Sequence, residues 1–243
     1  NAIMSRLIGL IDAGDPGGRG GRRGWSLVFQ LAAWRRPGEP IESGERRCEL
    51  RVSDAALDRW MARLHPYQVV SLDVAKTTKG CTVLRKILRV GVRDDELGQL
   101  AKVLQRPVTR KTERFGTLTL DRRYGSYEGR TRWRGRSVRL TLEGDEALET
   151  AESLFAAQTR WNRKLVERVV EKLLPLKNGR WLEEGERALT RQRFLARLKL
   201  QSISVGEEGA FTFWFHDGGL FWGHAIEVSG SLAKGATDAS IAG

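Results

Sequence analysis

Three residues near the C-terminus carry the groups best suited to chemistry. His216, Asp217 and His224 surround one short loop in the run Phe211-Thr212-Phe213-Trp214-Phe215-His216-Asp217-Gly218-Gly219-Leu220-Phe221-Trp222-Gly223-His224. Two imidazoles and a carboxylate can hold a metal ion with open positions, and a histidine beside an aspartate can act as a general base. The spacing argues against a ready-made site. His216 ends a strand pattern, Asp217-Gly218-Gly219 turns, and Phe221-Trp222 must bury before His224 opens the next strand, so nothing forces the imidazoles together. Asp217 is expected to cap the turn by accepting backbone N–H bonds, and His224 to sit half-buried with a satisfied ring.

Other catalytic signatures are missing from the sequence. Gly125-Ser126-Tyr127-Glu128-Gly129 and Gly206-Glu207-Glu208-Gly209 lack the Lys-Ser/Thr ending of a phosphate loop and do not lead from a strand into a helix, so they read as hairpin turns. Ser126 has no G-x-S-x-G elbow around it. Cys48 and Cys81 are far apart and lack the C-x-x-C spacing of a zinc or redox site, so they read as thiols of a reducing compartment. No catalytic residue, metal or cofactor is assigned.

Charge offers a second candidate. The 243 residues carry 42 Lys plus Arg against 30 Asp plus Glu, a net charge of +12, which raises the question of an anionic partner. Most of the excess lies in one segment, where Arg110, Lys111, Arg114, Arg122, Arg123 and five further arginines up to Arg139 face only Glu113, Asp121 and Glu128. If Tyr127, Gly129, Thr131 and Trp133 point to a core, then Arg130, Arg132 and Arg134 point to solvent, with Arg139 of the next strand on their face. Two readings stand side by side: a phosphate-binding stripe, or an exposed face decorated by an arginine-rich composition. No exposed aromatic alternates with the arginines to stack bases.

The elements that must position these residues follow from periodicity. Residues 1–24 read as a cloning remnant, Asn1-Ala2, followed by a flexible Gly/Arg-rich segment that cannot bury enough apolar surface to order itself. Residues 25–109 read as a ββαββα unit. Its two halves share a pattern, Val52-x-Asp54-x-x-Leu57 and Val92-x-Asp94-x-x-Leu97, which would place two helices on one face of a small antiparallel sheet. The charged stretch from Thr109 to Arg114 reads as the boundary. Beyond it, residues 113–243 show three alternating strands and then a long helix opened by Asp145, with Leu148, Leu154, Phe155, Trp161, Leu165, Val169 and Leu173 at helical spacing and Pro175 as its stop. Asn178-Gly179 reads as a turn, Thr190 as the start of a short helix, and four more strands complete the unit. The fold class is therefore α+β, with an antiparallel C-terminal sheet and helices inserted between two sets of strands.

Trp34, Trp60, Trp133, Trp161, Trp181, Trp214 and Trp222 fall on apolar patterns, so core packing is expected. Trp214 is the exception to watch. It alternates with Phe213 and Phe215, so either both sheet faces are covered or one aromatic set is exposed.

Several runs together carry a resemblance: Phe115-Gly116-x-Leu118-x-Leu120-Asp121-Arg122, Gly125-x-Tyr127-Glu128-Gly129, Trp133-x-Gly135, Asn178-x-x-Trp181, Ser202-Ile203, and Leu220-Phe221-Trp222-Gly223-His224-x-Ile226. Over about residues 113–243 the chain resembles the bacterial family known as domain of unknown function 2262. The resemblance implies an intracellular bacterial protein without an established activity, and supplies no catalytic residues. The expectation is a cytoplasmic, non-catalytic module that binds another protein, in an interaction, regulatory or immunity-like role. Nucleic-acid binding through Arg130, Arg132, Arg134 and Arg139 is the alternative, and a metal-dependent enzyme at the Asp217/His224 loop is the third reading. No apolar run reaches the roughly 18 residues of a membrane span, so no membrane partner is expected.

Overall fold

Leu27, Phe29 and Leu31 alternate with Val28 and Gln30, and in the computed structural model of the chain they enter the core of the first of two units. The structure describes residues 6–21, 24–78 and 80–242, and the units span Asn1–Pro107 and Val108–Gly243. The expected cloning remnant, residues 1 and 2, lies outside the described residues.

The first unit runs β1 (Arg6–Ile11), β2 (Gly17–Gly21), β3 (Gly24–Arg35), β4 (Glu42–Val52), α1 (Asp54–Met61), β5 (Val69–Thr78), β6 (Cys81–Val90) and α2 (Asp95–Leu104). From β3 onward this is the expected ββαββα order. The sheet differs from the expectation in closure. Strand β1 pairs with both β3 and β5, so β1, β5, β6, β4 and β3 form a hydrogen-bonded ring, with β4 and β6 parallel. The two helices also take separate positions. Leu57 of α1 packs with Leu27, Phe29 and Leu50, whereas Leu97 and Ala101 of α2 pack with Leu10, Ala33 and Val69. Alternation along β1 explains this, because Leu7 and Ile11 serve the first cluster and Leu10 the second.

The Gly/Arg-rich segment is corrected too. Its residues Gly17–Gly21 are a strand paired with β3, and glycine is what permits it. A Cβ on Gly18 would lie 2.6 Å from Leu57 Cδ2, so the bare backbone covers an apolar side chain of α1. The segment buries a neighbour's surface instead of its own. Cys48 sits fully buried in the same cluster, and burial pushes its thiol up to about 12, which leaves it unreactive at neutral pH.

The second unit runs β7 (Thr109–Thr112), β8 (Gly116–Asp121), β9 (Ser126–Trp133), β10 (Arg136–Glu143), α3 (Ala147–Ala156), α4 (Gln158–Arg180), α5 (Arg191–Arg197), β11 (Lys199–Val205), β12 (Ala210–His216), β13 (Ala225–Ser231) and β14 (Gly235–Ala242). The strands lie in one sheet in the order β14-β13-β12-β11-β10-β9-β8-β7. The helices are inserted between the two sets of strands, which is the expected α+β arrangement. The sheet is antiparallel except where the two sets meet, since β10 and β11 pair in parallel.

The boundary stretch begins the second unit, where Thr109–Thr112 is an edge strand paired with β8, a place that requires no large apolar residue. Three local readings change. The long helix is two helices that meet at Ala157, whose φ −119° and ψ 38° leave the helical region. Glu146 stands at the first helix's N-cap position in place of Asp145. Pro175 does not stop α4, which continues to Arg180. The proline is exposed, so the carbonyl it leaves unbonded faces water. Asn178 and Gly179 accordingly belong to the helix.

Trp161, Leu165, Val169 and Leu173, four residues apart, form the buried stripe of α4. They pack with Phe211, Phe213 and Phe215 of β12 in one core, and each buried aliphatic side chain of this kind contributes about 1.5–3 kcal/mol. Phe155 of α3 meets Phe115 and Trp133 edge-on, each with ring centroids 4.9 Å apart. The other sheet face is polar, with Thr119, Ser202, Ser204, Thr212 and Ser229 in register across it. Trp214 lies on that face, half-buried, opposite the three phenylalanines. Among the described residues no helix is long and apolar enough to cross a membrane.

Candidate functional site

The loop between β12 and β13 is organised by Asp217. Its side chain is fully buried at the point where the chain leaves the sheet, and both oxygens are in use. Oδ1 accepts from Gly219 N at 3.1 Å, and Oδ2 accepts from Phe221 N at 2.6 Å and Gly223 N at 3.1 Å. Burial pushes the carboxyl up, and the three backbone donors, Phe221 first, together with nearby His216 outweigh it and hold the group below the ordinary aspartate value. Asp217 is thus an ionised staple that fixes the whole loop.

Tight folding of the loop demands unusual backbone. Gly218, Gly219 and Gly223 have φ of 60°, 81° and 89°, and a Cβ on Gly218 would run into the backbone oxygen of Arg197. Trp222 shares this left-handed region at φ 57° without being glycine. The consequence is position. Phe221 turns into the core, while Trp222 is 67% exposed.

Beneath Trp222 lies Trp181, just beyond α4. The two indoles are 4.8 Å apart between centroids at an interplanar angle of 55°. Trp181 also meets Phe221 edge-on at 5.5 Å and the His224 ring at 6.0 Å. The segment after α4 is anchored from the helix. Lys177, 1% exposed, donates from Nζ to Trp181 O at 2.6 Å and to Glu186 Oε2 at 2.6 Å. Asn178 donates to Leu189 O at 3.0 Å and accepts from Leu189 N at 2.8 Å. The result is an exposed tryptophan on a platform of buried and half-buried rings, held by two ionised groups.

The three loop candidates therefore do different things. Asp217 is the staple. His216 is exposed, and its Nδ1 accepts from Gly218 N at 2.9 Å. His224 is half-buried against Trp181. Among the described residues no group of three or more His, Cys, Asp or Glu side chains is placed to hold a metal ion.

The arginine candidates separate. Arg130 and Arg139 are direct cross-strand partners, and Arg132 stands opposite Ser137. All three are exposed, and Arg130 Nε donates to Ser137 Oγ at 3.3 Å. Arg134 is not part of this face. It sits at φ 48° in the hairpin turn, its backbone N bonded to Gln158 Oε1 of α4 at 2.6 Å. The strand ends at Trp133, and the turn breaks the alternation that placed Arg134 with the others.

Sequence reasoning missed Trp222, which was expected in a core, and the Lys177 anchor. One signal was present. Of the six residues between Asp217 and His224, three are glycines, and so tight a turn cannot bury Leu220, Phe221 and Trp222 on one side.

A family model described as an uncharacterized protein conserved in bacteria (DUF2262) matches residues 112–241, more than half of the chain. No curated protein matches the chain. The matched span contains the loop, the aromatic platform and the arginine face.

Proposed function

We propose a function from one premise: the chain belongs to DUF2262, a family of uncharacterized proteins conserved in bacteria. The chain is a non-catalytic module of the bacterial cytoplasm that binds another protein, with Trp222 and the platform beneath it as the docking point. The observation that carries this reading is the 67% exposure of Trp222 in a left-handed backbone that disfavours non-glycine residues. A tryptophan kept outside on a rigid base offers a large amphipathic surface at little entropic cost, and such residues dominate the energetics of protein interfaces. The loop's carboxylate is consumed by three amides, which favours a scaffold over a reacting centre. A regulatory or immunity-like role, in which the module occupies its partner, is one form this binding would take.

The test is affinity capture from nuclease-treated lysate of the source bacterium. Wild-type protein is expected to retain one stoichiometric protein. Trp222→Gly, which relieves the left-handed strain and leaves Asp217 in place, is expected to weaken that capture about thirtyfold or more. Undiminished capture by the variant would sink the reading.

A second reading rests on the open sheet face. Arg130 and Arg139 stand side by side with Arg132 nearby, and none of the three has an ion-pair partner among the described residues. Along the same cross-strand row Arg139 pairs with Ser202 and Ser202 with Trp214, so a ring suited to base stacking shares the face. Three phosphate contacts predict that single-stranded nucleic acid binds about twentyfold more weakly at 200 mM than at 50 mM salt. Salt-insensitive or undetectable binding removes this reading.

A further inference from the structure

On the helix-covered side of the second sheet, the end of the β9–β10 hairpin meets α4 and the segment after α5. A cavity of about 390 Å³ opens there, within the usual range for small-ligand sites. Trp133, Val169 and Phe215, all buried, contribute core surface to it, and half-buried Val166, Leu195 and Leu198 add further apolar wall. A neighbouring cavity of about 540 Å³ shares Arg134, Asn162 and Val166. Both belong entirely to the second unit.

The polar lining is one-sided. Arg134 and Arg136 line the first cavity, and Arg160 and Arg163 join Arg134 in the second, while no aspartate or glutamate lines either. None of the four has an ion-pair partner among the described residues. Asn162 fits the same pattern, since its Oδ1 accepts from Trp133 Nε1 at 3.3 Å and its amide N–H groups remain as donors. Register explains why Arg136 belongs here, because it is the cross-strand partner of core-facing Trp133. Gln158 fixes the turn from α4, accepting from Arg134 N at 2.6 Å and donating to Arg132 O at 3.5 Å. Guanidinium groups gathered beside an apolar wall with no carboxylate among them suit a ligand that brings both negative charge and apolar surface.

We infer that this groove binds an organic anion, its phosphate or carboxylate held by Arg134 and Arg136 and its apolar body laid against Leu195, Leu198 and Val166. The inference is independent of the docking role of Trp222, which lies on a different loop.

Calorimetric titration of the full chain tests it, with octyl phosphate, octanoate, octanol and inorganic phosphate as separate probes. Saturable one-to-one binding is expected for octyl phosphate or octanoate, the stronger of the two identifying the head group, and none for octanol or inorganic phosphate at the same concentrations. Arg136→Gln is expected to weaken binding about tenfold. Arg134→Asn should do the same, and asparagine suits the left-handed turn, so the hairpin is kept. Lys234→Gln, in the turn between β13 and β14 and outside both linings, should change nothing. The inference is overturned if neither amphiphile saturates at millimolar concentration, if inorganic phosphate binds as tightly as octyl phosphate, or if Arg134→Asn and Arg136→Gln both bind like the wild type.

Discussion

Asp217→Ala is expected to lower the stability of the second unit by about 3–5 kcal/mol, since three backbone donors lose their acceptor and each buried unsatisfied group costs about 1–3 kcal/mol. The donors are Gly219, Phe221 and Gly223; buried Phe221 finds no replacement in water, while exposed Gly219 and Gly223 regain part of theirs, so the sum stays below three full penalties. Asp217→Asn should fall between, because its amide oxygen can serve one side of the loop while its NH₂ faces a donor on the other. Urea unfolding of the three proteins checks the order, and an alanine variant as stable as the wild type would contradict the staple. A pH dependence accompanies it. The folded-state carboxyl titrates below the ordinary value of 3.8, so the native state binds fewer protons than the unfolded chain. Its contribution is fully present above that value and is lost as pH falls through the folded-state value. Asp217→Asn should lack this component of acid destabilisation.

Glu186→Ala carries the second large effect. Lys177 is 1% exposed and has two acceptors, the Trp181 carbonyl and the Glu186 carboxylate. The hydrogen bond from Lys177, with further help from Glu183 N, holds the Glu186 carboxyl below its usual range. Removing Glu186 strands an ammonium in the interior with one carbonyl for company, which is the unfavourable half of a broken buried pair. A fall in melting temperature of about 10 °C is expected. The double variant Lys177→Met/Glu186→Ala should recover most of it, because an apolar chain of similar length needs no partner. Should the double variant melt no higher than Glu186→Ala, the burial of an uncompensated charge would not be the cause. Trp181 depends on this anchor, so Glu186→Ala should also loosen the platform under Trp222.

The second unit was legible where one rule governed a whole element. Tyr127 to Trp133 and Val138 to Leu142 alternate, and the strands with their polar outer face came from that alternation; Thr190 caps α5 as its position implied, accepting from Arg193 N at 3.3 Å. Legibility failed where tertiary packing overrode local pattern. Gly17–Gly21 has no apolar side chain to bury, and only the position of Leu57 beneath Gly18 makes a strand of it. Pro175 reads as a stop in isolation, yet the buried stripe through Leu173 and Lys177 carries the helix past it. Arg134 was expected on a solvent stripe, but the turn it occupies takes it out of the strand's alternation, and Arg136 lines the same groove as the cross-strand partner of Trp133. The same limit hid Trp222. Hydrophobicity places a tryptophan inside, and only the hydrogen-bonded course of the loop turns it out.

The docking role of Trp222 is tested most directly at that position itself. A photoreactive p-benzoylphenylalanine is placed at position 222 in the source bacterium and, as a control, at the 76% exposed Tyr124; the cells are irradiated and the adducts identified by mass spectrometry. One discrete protein adduct is expected from position 222, absent from position 124 and unaffected by nuclease. Adducts from position 222 that are missing, match those from position 124, or vanish with nuclease would contradict the docking role.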